Sequence, residues 1–332
     1  MIWLHQHRYI QILGINWDMQ SSTGFPGNGG WADGASFINA MLLRSGLNGR
    51  IPLGACPWGG ATGCNWGGGD NYCLSTVTAL GSPRLKLSAV KDSVALLRSV
   101  INSNPPGTVR LISVGPTLNV ARFMQSPANY NSDGIPRTGA QLWAMLQDYV
   151  PMGGQLKPSG GFENNYAYEN GSTPQGTSIS YILNNSAGIP IYGVDANVGA
   201  MSGGRAYYSL PTDSPLQVAL TRYRAVAPGN FTLPPPPYTA FGFGRPAWDP
   251  STVLFASIGT RDPGDGNGPY YGLSASGTIN VTVAPETSSF STAVPSGHFV
   301  VNVLRPKDTQ AILEQLQQDD ILPVPSRAPS DH

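Results

Sequence analysis

The feature that most constrains this chain is a repeated switch between short apolar strands and amphipathic, capped helices. RYIQILGIN (8–16), IPLGA (51–55), TVRLISV (108–114), DYVPMGG (148–154) and GIPIYGVD (188–195) each read as a buried strand. Between them lie helical stretches: 33–43, SVALLRSVINS behind the N-cap candidate Asp92, TLNVARFMQ opened by Pro116, Gly139 to Gln147, and Pro174 to Asn185. Helices follow at 214–226 and from Asp249-Pro250 onward. Such alternation predicts an α/β fold, a mainly parallel open sheet with helices on both faces and right-handed crossovers. The end changes character. GTINVTV (277–283) and GHFVVNVL (297–304) alternate as strands and are expected to pair as a C-terminal β-hairpin, followed by a closing helix at 307–317. No repeat or linker divides the chain, so a single domain over 1–322 with a tail at 323–332 is expected.

Composition narrows the partners. Lys+Arg and Asp+Glu are 19 each and charged residues are only 11%, so neither nucleic acid nor an anionic membrane surface finds its electrostatic counterpart here. No segment is a membrane span and the opening residues are no signal peptide. Abundant Gly and Pro, uncharged loops and N-x-[ST] sequons at Asn170, Asn184, Asn230 and Asn280 point to an extracellular location for a full-length form. Cys56, Cys64 and Cys73 match no zinc spacing; one disulfide plus a free thiol and three free thiols are both open. Oligomeric state is left open, a homo-oligomer included.

In an open α/β sheet, ligands bind beyond the carboxyl ends of the strands. The residues at those positions are Asn16 and Asp18, 115–119, 153–165, 195–197 and Asp249. They are rich in Asn, Asp and Gly and contain no histidine, which suits a neutral, hydroxyl-rich ligand such as a sugar. His5, His7, His298 and His332 are badly placed for a Ser-His-Asp triad, and no GxGxxG or P-loop is present.

Four of these stretches, in order, carry a resemblance. SVGPTLNVARF (113–123) is similar to the GPLTNIA-like stretch of nucleoside hydrolases, and VPMGG (150–154) to their VMGG strand end. Glu163-Asn164-Asn165 resembles their E-F-N, and AWDPSTVLFA (247–256) their H/W-D-P segment. The chain thus resembles the inosine/uridine-preferring nucleoside hydrolase family, its secreted fungal- or bacterial-type branch, over about residues 8–320. The resemblance implies a domain that hydrolyses the N-glycosidic bond of ribonucleosides with a Ca2+-bound water. It implies ribose contacts from Glu163 and Asn165, with Asn119 as a further candidate, and metal contacts from the Asp249 carboxylate and the main-chain carbonyl at Pro151.

The departures matter as much. The family's first strand and its D-x-D-x-G-x-D-D cluster have no counterpart, so 8–16 corresponds to the second strand. Those aspartates supply most metal ligands and the general base. Trp248 stands where many members have a histidine, and GPTLN reverses the usual L-T order. The expectation is an N-terminally truncated chain that holds Ca2+ weakly or not at all and hydrolyses nucleosides weakly or not at all. The alternative is a non-catalytic ribose- or nucleoside-binding remnant. Local readings compete at several positions: Asp249 as an N-cap, Asn119 as a turn brace, Asp18 as a surface turn, RDPGDGNG (261–268) as a solvated loop, and Trp58 and Trp66 as loop packing.

Overall fold

The computed structural model describes residues 1–17, 30–55, 72–86, 89–156, 163–167, 176–186, 188–196, 198, 210–226, 247–283 and 287–319. Asp18, Cys56, Trp58, Cys64, Trp66, Asn197 and the 323–332 tail lie outside the described residues.

The elements are α1 (Ile2–Gln6), β1 (Ile15–Trp17), α2 (Gly30–Arg44), β2 (Leu53–Ala55), α3 (Tyr72–Ala79), β3 (Lys91–Asp92) and α4 (Ser93–Asn102). Then come β4 (Val109–Ser113), α5 (Leu118–Gln125), α6 (Gly139–Trp143), β5 (Leu146–Pro151), α7 (Asn164–Ala167), α8 (Thr177–Asn184) and β6 (Ile191–Gly193). The remainder is α9 (Pro215–Val226), α10 (Trp248–Ile258), β7 (Tyr271–Leu273), β8 (Thr278–Thr282), β9 (Thr287–Ser291), β10 (His298–Val303) and α11 (Pro306–Asp319).

Two sheets form the centre. One is parallel, in the order β1-β2-β3; the other runs β4-β5-β6-β10-β7, parallel except for β7. Side-chain alternation along the second sheet builds a layer on each face. Tyr149, Ile191 and Val300 enter one core with Leu97, Phe123, Leu142, Ile179 and Ile182 from α4, α5, α6 and α8. Their neighbours Val150, Tyr192 and Val301 enter the other with Leu254 and Phe255 of α10 and Leu313 of α11. Neighbouring residues of one strand therefore serve opposite helical layers, and the expected α/β fold with helices on both faces is what forms.

Local signals set many boundaries. Asp92 caps α4 as expected, its Oδ1 accepting the N–H groups of Val94 and Ala95 at 2.8 and 3.0 Å. Thr138 and Gln141 form a capping box at the start of α6. That helix stops at Trp143 rather than Gln147, because Leu146 already begins β5.

Three expectations need correction. The strand expected at 8–16 is reduced to Ile15–Trp17. Arg8 adopts a positive φ of 62°, and the Ile12 N–H goes to His5 Nδ1 at 3.1 Å instead of to a neighbouring strand. Pro116 does not open α5, whose cap position is Thr117. The two late strands do not pair with each other beyond an isolated bridge between Gly277 and His298. β8 pairs with β9 instead, while β10 joins the main sheet between β6 and β7. A C-terminal β-hairpin is present, but its second strand is 287–291. The apolar β10, with Val300 and Val301 each 1% exposed, is buried on both faces and belongs in the sheet interior.

Cys73 is fully buried and disulfide-bonded, its partner lying outside the described residues. Among the described residues no helix is long and apolar enough to cross a membrane.

Candidate functional site

β4, β5 and β6 are parallel neighbours, so their carboxyl ends open on one edge of the sheet. Backbone bonds tie these ends together. The Ser113 carbonyl accepts the Met152 N–H at 2.8 Å, and the Pro151 carbonyl accepts the Val194 N–H at 2.9 Å. The Val194 carbonyl accepts from Gly153 at 2.9 Å, and the Gly154 carbonyl from Ala196 at 3.0 Å. The chain turns out of the sheet at Gly153-Gly154. Gly153 lies against the Tyr166 ring, where an added Cβ would stand 2.3 Å from ring atoms. Gly154 has φ +79°, a conformation glycine adopts without steric cost.

Glu163 and Asn165 are drawn onto this turn. The Glu163 carboxylate accepts three backbone N–H groups: Gly154 at 3.0 Å, Asn165 at 2.9 Å and Tyr166 at 3.3 Å. It both closes the glycine turn and anchors the start of α7. Asn165 donates its amide to the Met152 carbonyl at 3.1 Å and to the Met152 sulfur at 3.0 Å. Pro151, Glu163 and Asn165 therefore belong to one bonded cluster at the end of β5. Asn119 makes a local contact instead. Its side chain is buried in the first turn of α5, and Oδ1 accepts the N–H of Val120 at 2.8 Å.

Asp249 lies exposed in the first turn of α10, where Ala247 occupies the cap position. Two contacts fix this helix. The Trp248 indole Nε1 donates to the Ala196 carbonyl at 2.8 Å, joining the start of α10 to the segment after β6. At the other end Arg110 donates to the Ala256 carbonyl. Arg110 also forms a two-pronged pair with Asp148 across β4 and β5, at 2.6 and 2.7 Å. Beside that pair, burial and the Asp148 charge push the Tyr192 hydroxyl above its ordinary range, against a smaller opposing pull from Arg110.

Among the described residues no three His, Cys, Asp or Glu side chains are grouped so as to hold a metal ion. In the 261–268 loop both Asp265 oxygens face Arg305, at 3.1 and 2.7 Å, and Arg305 also meets Asp308 at 2.7 Å. A cleft of about 480 Å3 between helices is lined by Arg44, Leu80, Asp213, Val218 and Arg222 and contains none of the residues singled out in the sequence.

Sequence reasoning singled out the stretches that hold Met152 and Ala196 but not their contacts, and it missed Ser288 altogether. Met152 holds Asn165, Ala196 holds Trp248, and Ser288 of β9 accepts the Gln155 N–H at 2.8 Å from 133 residues away. An isolated serine in a Ser/Thr-rich strand gives no signal for such a contact.

The fold these elements define is that of a nucleoside hydrolase-like α/β protein. Among solved structures it is similar to a plant nucleoside hydrolase, the PpNRh1 enzyme, with a TM-score of 0.52 and 13% identity over 92% of this chain and 99% of that one. It is also similar to the effector protein XOO4466, with a TM-score of 0.51 and 12% identity over 88% of this chain and 81% of that one. No protein-family model and no curated protein sequence matches the chain.

Proposed function

We propose that this chain is a nucleoside hydrolase-like domain that binds the hydroxyls of a ribonucleoside at the end of β5 and has little or no hydrolytic activity of its own. The observation that carries the reading is the cluster of Glu163 and Asn165 on the Gly153-Gly154 turn, in a fold similar to a nucleoside hydrolase.

Ca2+ takes about six to eight oxygen ligands, several of them charged. Asp249 offers one carboxylate, and the Pro151 carbonyl already accepts a sheet N–H. That pair of donors does not fit a tightly held Ca2+.

The strand order supports reading the chain as one that lacks the first strand of its fold. Among the described residues β1 pairs with β2 alone and β4 with β5 alone, so each stands at an edge of its sheet. β2 already occupies one side of β1, which leaves the other for a preceding parallel strand.

Calorimetry with ribose, inosine and uridine, with and without Ca2+, tests the reading. Weak binding that is indifferent to Ca2+, with no detectable base release, is the expected result. Chelator-sensitive hydrolysis of inosine or uridine by this chain would show that a working metal site exists. Absence of binding by all three ligands would overturn the ligand assignment. An in-frame upstream segment carrying D-x-D-x-G-x-D-D, expressed joined to Met1, is expected to give Ca2+-dependent hydrolysis.

A further inference from the structure

Two of the attachments of the β8–β9 ribbon to the rest of the molecule meet the Gln155 turn and His298. On β9, Ser288 is 1% exposed and accepts the Gln155 N–H at 2.8 Å, in the turn that Glu163 closes. On β8, Ile279 donates its N–H to Nδ1 of His298 at 3.1 Å. The Ile279 side chain lies with Leu156 against Gly193 of β6, where an added Cβ would stand 2.8 and 2.9 Å from their methyl carbons.

His298 is 3% exposed at the start of β10. Because Nδ1 accepts from a backbone N–H, the ring proton resides on Nε2. Nε2 lies 3.3 Å from Ser186 Oγ, and that hydroxyl in turn donates to the Leu183 carbonyl at 3.0 Å. Both nitrogens of the neutral ring are thereby matched. An imidazolium would carry a proton on Nδ1 facing the Ile279 N–H, donor against donor. Among the described residues of the surrounding elements no charged side chain offsets such a charge. α8, β6, β7, β8, β9 and β10 contain no Asp, Glu, Lys or Arg; besides His298 their only titratable side chains are Tyr181, Tyr192 and Tyr271.

We propose that His298 is a pH-sensitive latch: on acidification the ring takes a proton from solvent at Nδ1, loses the Ile279 N–H and releases the β8–β9 ribbon, and with it the Ser288 brace on the Gln155 turn. Burial pushes the imidazole below its ordinary value, so the neutral, latched form prevails at neutral pH and release requires acidification below the ordinary histidine range. The latch does not depend on what the turn binds.

Hydrogen–deuterium exchange of the full chain at about pH 7.5 and about pH 5, corrected for intrinsic exchange, tests this. β8, β9 and the Gln155 amide are expected to lose protection together at the lower pH, by about tenfold or more, while the β5 amides keep theirs. In His298→Asn, whose amide oxygen can accept the Ile279 N–H without titrating, ribbon protection is expected to be independent of pH. Equal ribbon protection at both pH values in the parent chain overturns the latch, as does a pH dependence that survives in H298N. Should H298N fail to fold, the His298 ring titration in the parent, followed by NMR, decides: a midpoint below the usual histidine value supports the latch and one at or above it overturns it.

Discussion

The carboxylate of Glu163 and the backbone of Gly154 are joined by a 3.0 Å hydrogen bond that closes the turn leaving β5. The same carboxylate takes the N–H groups of Asn165 and Tyr166, so its removal leaves three donors without their acceptor. Glu163→Ala is therefore expected to cost about 1–3 kcal/mol of stability and to abolish any nucleoside binding. Glu163→Gln keeps one acceptor oxygen and is expected to lose less. Denaturant titration of both variants, alongside calorimetry, checks the order.

Gly154 offers a second handle on the same turn. Its φ of +79° disfavours any L side chain, and an added Cβ would stand 2.9 Å from both Ser288 Oγ and the Tyr166 ring. Gly154→Ala is expected to destabilise by about 1–3 kcal/mol. It is also expected to raise hydrogen exchange at Gln155, because Ser288 must move to make room. An unchanged unfolding midpoint would contradict this account of the turn.

Away from the site, Arg98 is the largest buried commitment. Its side chain is 0% exposed, and it donates to Asp133, Ser126 Oγ and the carbonyls of Ile135 and Arg137. It pins the 126–139 segment, in which Asn129, Asn131 and Ser132 hold positive φ. Arg98→Ala is expected to cost about 3–5 kcal/mol by stranding its partners. Arg98→Ala with Asp133→Ala is expected to cost less than the sum of the single changes in a double-mutant cycle.

That pair also sets an acid limit. Burial opposes the Asp133 charge, but the Arg98 guanidinium and the Ile135 N–H outweigh it and hold the carboxyl below its ordinary range. A carboxyl with a lowered folded-state value contributes stability above about pH 4, and the contribution fades as pH falls towards the folded-state value. Asp133→Asn is expected to flatten the stability profile below about pH 4 while shifting it little in shape between about pH 5 and 8. Chemical denaturation across that range measures it.

Cys73 is disulfide-bonded, and the chain has only three cysteines. The unreduced, denatured protein is expected to take up one alkylating group, and the reduced protein three. Three groups without reduction would show that no bridge forms. Cys73→Ser is expected to lower stability by about 2–4 kcal/mol.

The sequence by itself determined the class of fold and much of its punctuation. Periodicity at 108–114, 148–154 and 188–195 was enough to place three parallel strands, and Asp92 marked a helix start because a cap is a contact between residues two or three apart. The four family-like stretches likewise located the carboxyl end of β5. Tertiary structure alone decided the rest. β10 and β8 look alike in sequence, yet one lies inside the sheet and the other in a surface ribbon, because strand pairing is settled by which edge is free and not by the strand's own pattern. Ser288 bracing Gln155, Arg110 reaching Ala256 and His298 capturing the Ile279 N–H span gaps of 133, 146 and 19 residues. Each depends on desolvated groups meeting after the layers have packed, and a backbone N–H or an isolated polar side chain carries no mark in sequence of the partner it will find.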